Sequence, residues 1–207
     1  MARTPDDARR WAAEGTSVFL AAAATPTSAG YAAHTALPGW TRGHLVAHVA
    51  ANADALRNLV HWAATGDVTP MYATPEERIA AIEWGSRLPA GQLGHWLRTS
   101  AARLQTACDQ LRGEQWAHEV RTAQGRTVPA SEIAWLRARE VWVHAADLGT
   151  GVAFADLPDD FLRALEADIV ERRGAVPDVA GPLAERVAWL AGRPHALAGA
   201  PELDAWL

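Results

Sequence analysis

Apolar residues recur at three- and four-residue intervals through most of the first 150 positions, the period of amphipathic helices. The spacing predicts a first helix from near Pro5 to Ala24, anchored by Trp11, Val18 and Phe19 and broken by Pro26, Ser28 and Gly30. A second is expected to begin at Thr41, an N-cap after Pro38-Gly39, and to run to about Thr65 before Gly66. Its core residues are Leu45, Val49, Leu56, Leu59 and Val60, while His44, His48 and Asn52 form a polar line at i, i+4, i+8.

Thr74-Pro75-Glu76-Glu77 reads as a helix opening, with Pro at the first helical position and a Thr–Glu capping box. Leu88-Pro89 interrupts, and Gln92 to Leu111 reads as a further helix with Leu93, Trp96, Leu97, Leu104 and Leu111 at helical spacing. Between Gln115 and Val128 the period changes around Thr122-Ala-Gln-Gly125, a short hairpin or an ordered loop. The segment from about Pro129 to Leu148 is apolar nearly all round and is expected to be central. After Gly149 the composition shifts. Helices are expected from Pro158-Asp159-Asp160 through Arg173 and from Pro182 to Ala191, which divides the chain into a helical bundle, 1–150, and a small C-terminal lobe, 151–207.

Composition removes several function classes. The net charge of −5 and the absence of an Arg cluster argue against a nucleic-acid surface or an anionic membrane patch. All 19 basic residues are Arg, so Schiff-base chemistry on a lysine is excluded. The longest apolar run, Val18 to Ala24, is far short of the roughly 20 residues a bilayer needs, and Asp6, Asp7 and Glu14 ahead of it do not suit a secretory signal, so a cytoplasmic protein is expected. Cys108 is the only cysteine; no His lies within one helical turn of it, and it reads as a small buried hydrophobe.

The chemistry concentrates in Glu140 and His144, one helical turn apart, with His48 as the distant partner that a packed neighbouring helix would bring against them. Two imidazoles and a carboxylate are costly to bury unless paired or bound to a cation, and they match a catalytic zinc site with three protein ligands and an open position. Spacing leaves two matters open. A buried Glu–His hydrogen bond joined by Asn52 or an arginine fits equally, and His44 competes with His48 because it lies one turn away on the same face.

Five segments go beyond periodicity: Gly39-Trp-Thr-Arg-Gly-His-Leu-Val-Ala-His-Val-Ala50, Asn58-Leu-Val-His-Trp62, Thr69-Pro-Met-Tyr72, Thr122-Ala-Gln-Gly-Arg-Thr-Val-Pro-Ala-Ser-Glu132 and Arg139-Glu-Val-Trp-Val-His-Ala145. Together they resemble the mycothiol-dependent maleylpyruvate isomerases, within the DinB-like superfamily of metal-binding helical bundles, over roughly residues 5–155. The first and last segments mark only the superfamily branch; the Thr122 and Thr69 segments are more particular to the isomerases.

The resemblance implies a mainly α fold, a DinB-like four-helix bundle followed by a C-terminal α/β lobe. It implies His48, Glu140 and His144 as zinc ligands, with His44 left as a neighbour, and Arg78 as the arginine used on the substrate. The lobe departs from the pattern: after Arg173 only eight residues precede Pro182, little room for the strands found there in the family. The implied activity is the cis–trans isomerisation of maleylpyruvate to fumarylpyruvate, a step of gentisate-type aromatic degradation, with mycothiol as thiol cosubstrate. The expected partners are a small dicarboxylate and a low-molecular-weight thiol, acting on a monomer.

Arg78 near a helix N-terminus suits carboxylate binding, since its planar fork is bidentate and the helix end favours anions. Arg126 is a second, weaker candidate on a segment that borders the expected cleft. Trp40, Trp62, Trp135 and Trp142 lie near the matched segments, as pocket walls or as core. Two other readings keep part of this picture: a mycothiol S-transferase, which would consume the thiol, and a non-enzymatic bundle in which the triad is structural.

Overall fold

A computed structural model describes residues 3–203 and 206. The protein is mainly α-helical, and the chain falls into two compact units: Pro5–Thr150, and Gly151–Leu207 with Met1–Thr4.

The first unit holds helices α1 (Pro5–Ala24), α2 (Arg42–Thr65), α3 (Pro75–Ser86) and α4 (Ala90–Gln110), strands β1 (Glu119–Arg121) and β2 (Thr127–Pro129), and helix α5 (Glu132–Asp147). The four long helices close a ring in which α1 packs on α5, α5 on α2, α2 on α4 and α4 on α1, while α3 lies against α2. Helix α1 buries Ala8, Trp11, Gly15, Phe19 and Ala22, one stripe at steps of three and four. Gly15 marks the closest approach of α1 to α5: a Cβ there would meet Trp142 Nε1 and Val141 Cγ2 at 2.7 Å.

Helix boundaries follow local chemistry. At Thr74 the hydroxyl accepts from Glu77 N at 3.2 Å, while the Glu77 carboxylate reaches past the cap to Ala73 N at 2.6 Å, one residue further back than a capping box requires. Helix α2 ends at Gly66, whose φ of 83° lets its N–H close on Trp62 O at 2.8 Å. Helix α4 starts at Ala90 rather than Gln92, because Pro89 O already accepts from Gln92 N and Leu93 N. Helix α5 starts three residues later than its apolar pattern begins, since Thr127–Pro129 is committed to pairing with β1, Val128 opposite Val120. Both valines turn inward onto Leu59, Leu111 and Ile133, which fastens the hairpin to the bundle core.

In the second unit α6 (Asp159–Arg173) packs on α7 (Leu183–Leu190) through Phe161, Leu162, Leu165, Ile169, Val187 and Leu190. Arg173 Nε donates to Leu190 O at 3.0 Å, and Arg186 pairs with Glu166 at 2.9 Å. The described residues of this lobe include no strand; the segment between α6 and α7 is irregular, and the protein's one described hairpin belongs to the bundle. Among the described residues no helix is long and apolar enough to cross a membrane.

Candidate metal centre

The polar line of α2 carries three side chains with three different jobs. His44 is taken up by the helix start: its Nδ1 accepts from Thr41 N at 3.2 Å and lies 2.7 Å from Thr41 Oγ1, while Thr41 Oγ1 accepts from His44 N. Its other nitrogen faces Glu83 Oε1 at 3.6 Å. Asn52 Oδ1 accepts from Arg137 Nη1 at 3.0 Å. His48, between them, turns toward α5.

There His48 Nε2 lies 2.9 Å from Glu140 Oε2, and His144 Nε2 lies 3.3 Å from the same oxygen. The two imidazole rings meet edge to face, centroids 5.0 Å apart at 84°. One donor atom from each of His48, Glu140 and His144 falls within 4.8 Å of the others, a group able to hold a metal ion. Ligand atoms on a tetrahedral zinc at roughly 2.05 Å stand roughly 3.3 Å apart, the scale of both recorded separations. The structure thus brings together the three residues that spacing and resemblance single out, and it leaves His44 outside.

The electrostatics suit a cation. Burial opposes ionisation of Glu140, but His48 and His144 outweigh it and hold the carboxyl well below the usual carboxylate range. His48 is pushed below the ordinary imidazole value by burial, with Glu140 pulling the other way. For His144 burial also disfavours the charged form, yet its bonds to Asp147 and Glu140 prevail and raise it. The side chains of His48 and His144 are 6% and 3% exposed, whereas Glu140 retains 16%, so the group is open on the carboxylate side.

Asp147 completes the arrangement, although neither the apolar periodicity nor the matched segments mark it as a site residue. Its Oδ2 lies 2.8 Å from His144 Nδ1, one turn along α5, and its side chain is 1% exposed. A proton held on Nδ1 by that carboxylate leaves the Nε2 lone pair free for a metal. The signal was present as a His-x-x-Asp step, the i,i+3 spacing that puts two side chains on one helix face.

Arg78, in the first turns of α3, reaches the site: its Nη2 lies 3.5 Å from His48 Nδ1. Tyr72 joins the same neighbourhood, its phenol pushed up to about 12 by burial despite the adjacent Arg78 guanidinium. Trp40 stacks edge-on against His48, centroids 5.3 Å apart. The other tryptophans have structural work. Trp135 packs on Trp11 at 5.8 Å, Trp142 Nε1 donates to Trp11 O, and Trp62 lies against the hairpin core. Arg126 sits exposed on the β1–β2 turn, which its backbone closes with Thr122, and it makes no hydrogen bond or ion pair with the triad. Burial pushes the Cys108 thiol up to about 12, so it is inert as a nucleophile.

Comparison with known proteins identifies the family. The family model "Mycothiol maleylpyruvate isomerase N-terminal domain" matches residues 11–149. A crystal structure of the mycothiol-dependent maleylpyruvate isomerase is 39% identical, with a TM-score of 0.92 over 99% of this chain and 98% of that one. A histidine-to-alanine mutant of that isomerase matches at 38% identity with the same coverage and TM-score. No curated protein matches the chain. With a family match over most of its length and a whole-chain structural likeness at that identity, the chain belongs to the mycothiol maleylpyruvate isomerase family.

Proposed function

We propose that this protein is a mycothiol-dependent maleylpyruvate isomerase, with His48, Glu140 and His144 holding a divalent cation, zinc before others, and Arg78 binding the substrate. The observation that carries the reading is the convergence of two imidazole nitrogens and one carboxylate oxygen beside Arg78, in a chain 39% identical to such an isomerase.

The substrate's cis double bond is conjugated to carbonyls, so isomerisation needs that bond to lose its double character while rotation occurs. The sulfur of a thiolate gives an electron pair to one alkene carbon, and the π pair moves onto the conjugated carbonyl oxygen. Rotation about the new single bond follows; return of the electron pair re-forms the alkene as trans and expels the thiolate unchanged. A divalent cation, when bound at the triad, lowers the pKa of a coordinating thiol and so supplies thiolate at neutral pH.

The chain's own groups do the rest. Asp147 holds His144 in the tautomer and orientation that present Nε2. The Arg78 fork takes a substrate carboxylate and fixes the alkene for attack. Tyr72, a neutral phenol at physiological pH, is a donor available to a substrate oxygen. The triad, Arg78 and Tyr72 all lie within the unit Pro5–Thr150, which supports residues 5–150 as the catalytic domain and 151–207 as a lobe. A reduced thiol cosubstrate and an unpaired Cys108 fit a reducing compartment, the cytoplasm.

The test is turnover of maleylpyruvate by metal-analysed protein with and without mycothiol. Isomerisation with the thiol unconsumed supports the proposal, whereas stoichiometric thiol consumption would identify an S-transferase and no turnover a structural metal bundle.

A further inference from the structure

Between α1, α4 and α5 lies a cavity of about 370 Å³ whose lining does not include the triad. Small side chains leave this gap: Ala12 and Ala13 on α1 face Ala101 and Ala102 on α4, and none fills the space between the two helices. Its volume is within the range of small-molecule sites, and its walls are mainly apolar.

The cavity also contains a charge that the proposed reaction does not use. Arg137 lines it, is only 4% exposed, and makes its hydrogen bonds through Nη1 alone, to Val49 O at 2.9 Å and Asn52 Oδ1 at 3.0 Å. Burial lowers its pKa to about 10, so it is still a cation at neutral pH. No carboxylate lies within ion-pair distance of it among the described residues. Glu140 and Asp54 compensate its charge from beyond ion-pair distance, but its Nε and Nη2 make no hydrogen bond among the described residues, and a carboxylate entering the cavity would give them a direct, charged partner. Two further guanidiniums, the exposed Arg9 and Arg98, line the same cavity with a single acidic residue, Asp109, so the lining carries net positive charge.

We propose that this cavity binds a small monocarboxylate with an apolar body, its carboxylate paired with Arg137 and its body lying along the alanine walls. The site is tied to the metal centre through the same side chain. Arg137 precedes Glu140 by one turn on α5 and holds Asn52, one turn beyond His48 on α2.

Octanoate and octanol, titrated calorimetrically into the full-length, metal-loaded chain, separate an anion site from a merely greasy one. Octanoate is expected to bind roughly tenfold tighter than octanol, the scale of one charge-assisted hydrogen bond. Arg137→Met should erase that preference. Ala102→Phe, on the cavity lining and outside the proposed catalytic groups, should weaken octanoate by roughly tenfold or more and leave isomerase turnover unchanged. If Arg137→Met fails to fold, the octanol comparison and Ala102→Phe still decide. No octanoate binding, equal affinity for octanol, or full octanoate affinity in Ala102→Phe would each overturn the proposal.

Discussion

His144 and Asp147 are joined across one turn of α5, Nδ1 to Oδ2 at 2.8 Å, with both side chains almost wholly buried. The bond fixes which imidazole nitrogen carries the proton and which faces Glu140. Replacing Asp147 by Asn keeps the shape and removes the charge. The expected outcome is a metal affinity about 10–100-fold weaker with helix content retained, read by chelator competition and circular dichroism. Unchanged affinity would show that Asp147 does not orient the ligand.

Arg78 touches His48 but belongs to no ion pair with the triad. Arg78→Ala is expected to keep its metal and to lose about 10–100-fold in kcat/KM on maleylpyruvate, the scale of one charge-assisted carboxylate bond. Steady-state kinetics with metal analysis on the same sample checks both halves. Wild-type kinetics would remove Arg78 from substrate binding.

His44 supplies the N3 side of the α2 cap and is no ligand in the proposed assignment. His44→Ala is expected to retain metal and to lower stability by about 0.5–1 kcal/mol, a capping effect, measured by denaturant unfolding. Loss of metal from this variant would reverse the assignment of the two histidines.

Protons compete with metal for the same nitrogens. In the metal-free protein burial disfavours protonation of His144, but Asp147 and Glu140 outweigh it and raise its pKa above 6.5. His144 therefore begins to take up its proton above pH 6.5 as pH falls, while the lowered pKa of His48 delays its protonation to below that value. Metal affinity should decline as pH drops, by about tenfold per pH unit for each proton displaced, with the decline starting above pH 6.5. Chelator competition between about pH 5 and 8 measures it. A flat profile would contradict the ligand set.

Much of the fold was legible because helix ends are written in local chemistry: Thr41, Thr74-Pro75 and Gly66 each act where their residue types imply. The candidate metal group was legible in part. Glu140 and His144 share a face by spacing alone, but a period of four puts His44 and His48 on one side equally well. The resemblance favours His48, and the cap at Thr41, which takes up the His44 ring, separates the two in the structure. The role of Arg137 was illegible, because its partners Val49 and Asn52 lie on another helix more than 80 residues away. The hairpin's claim on Thr127–Pro129 likewise shortened α5 through pairing with β1, a contact that helical periodicity does not encode.

Metal content of the purified wild type and of His48→Ala, determined by mass spectrometry and paired with maleylpyruvate turnover in the presence of mycothiol, tests the centre most directly. About one divalent ion per chain in the wild type, with metal and activity both lost in His48→Ala, is the predicted result. A wild-type chain that is metal-free and fully active, or a His48→Ala variant with undiminished metal, would contradict it.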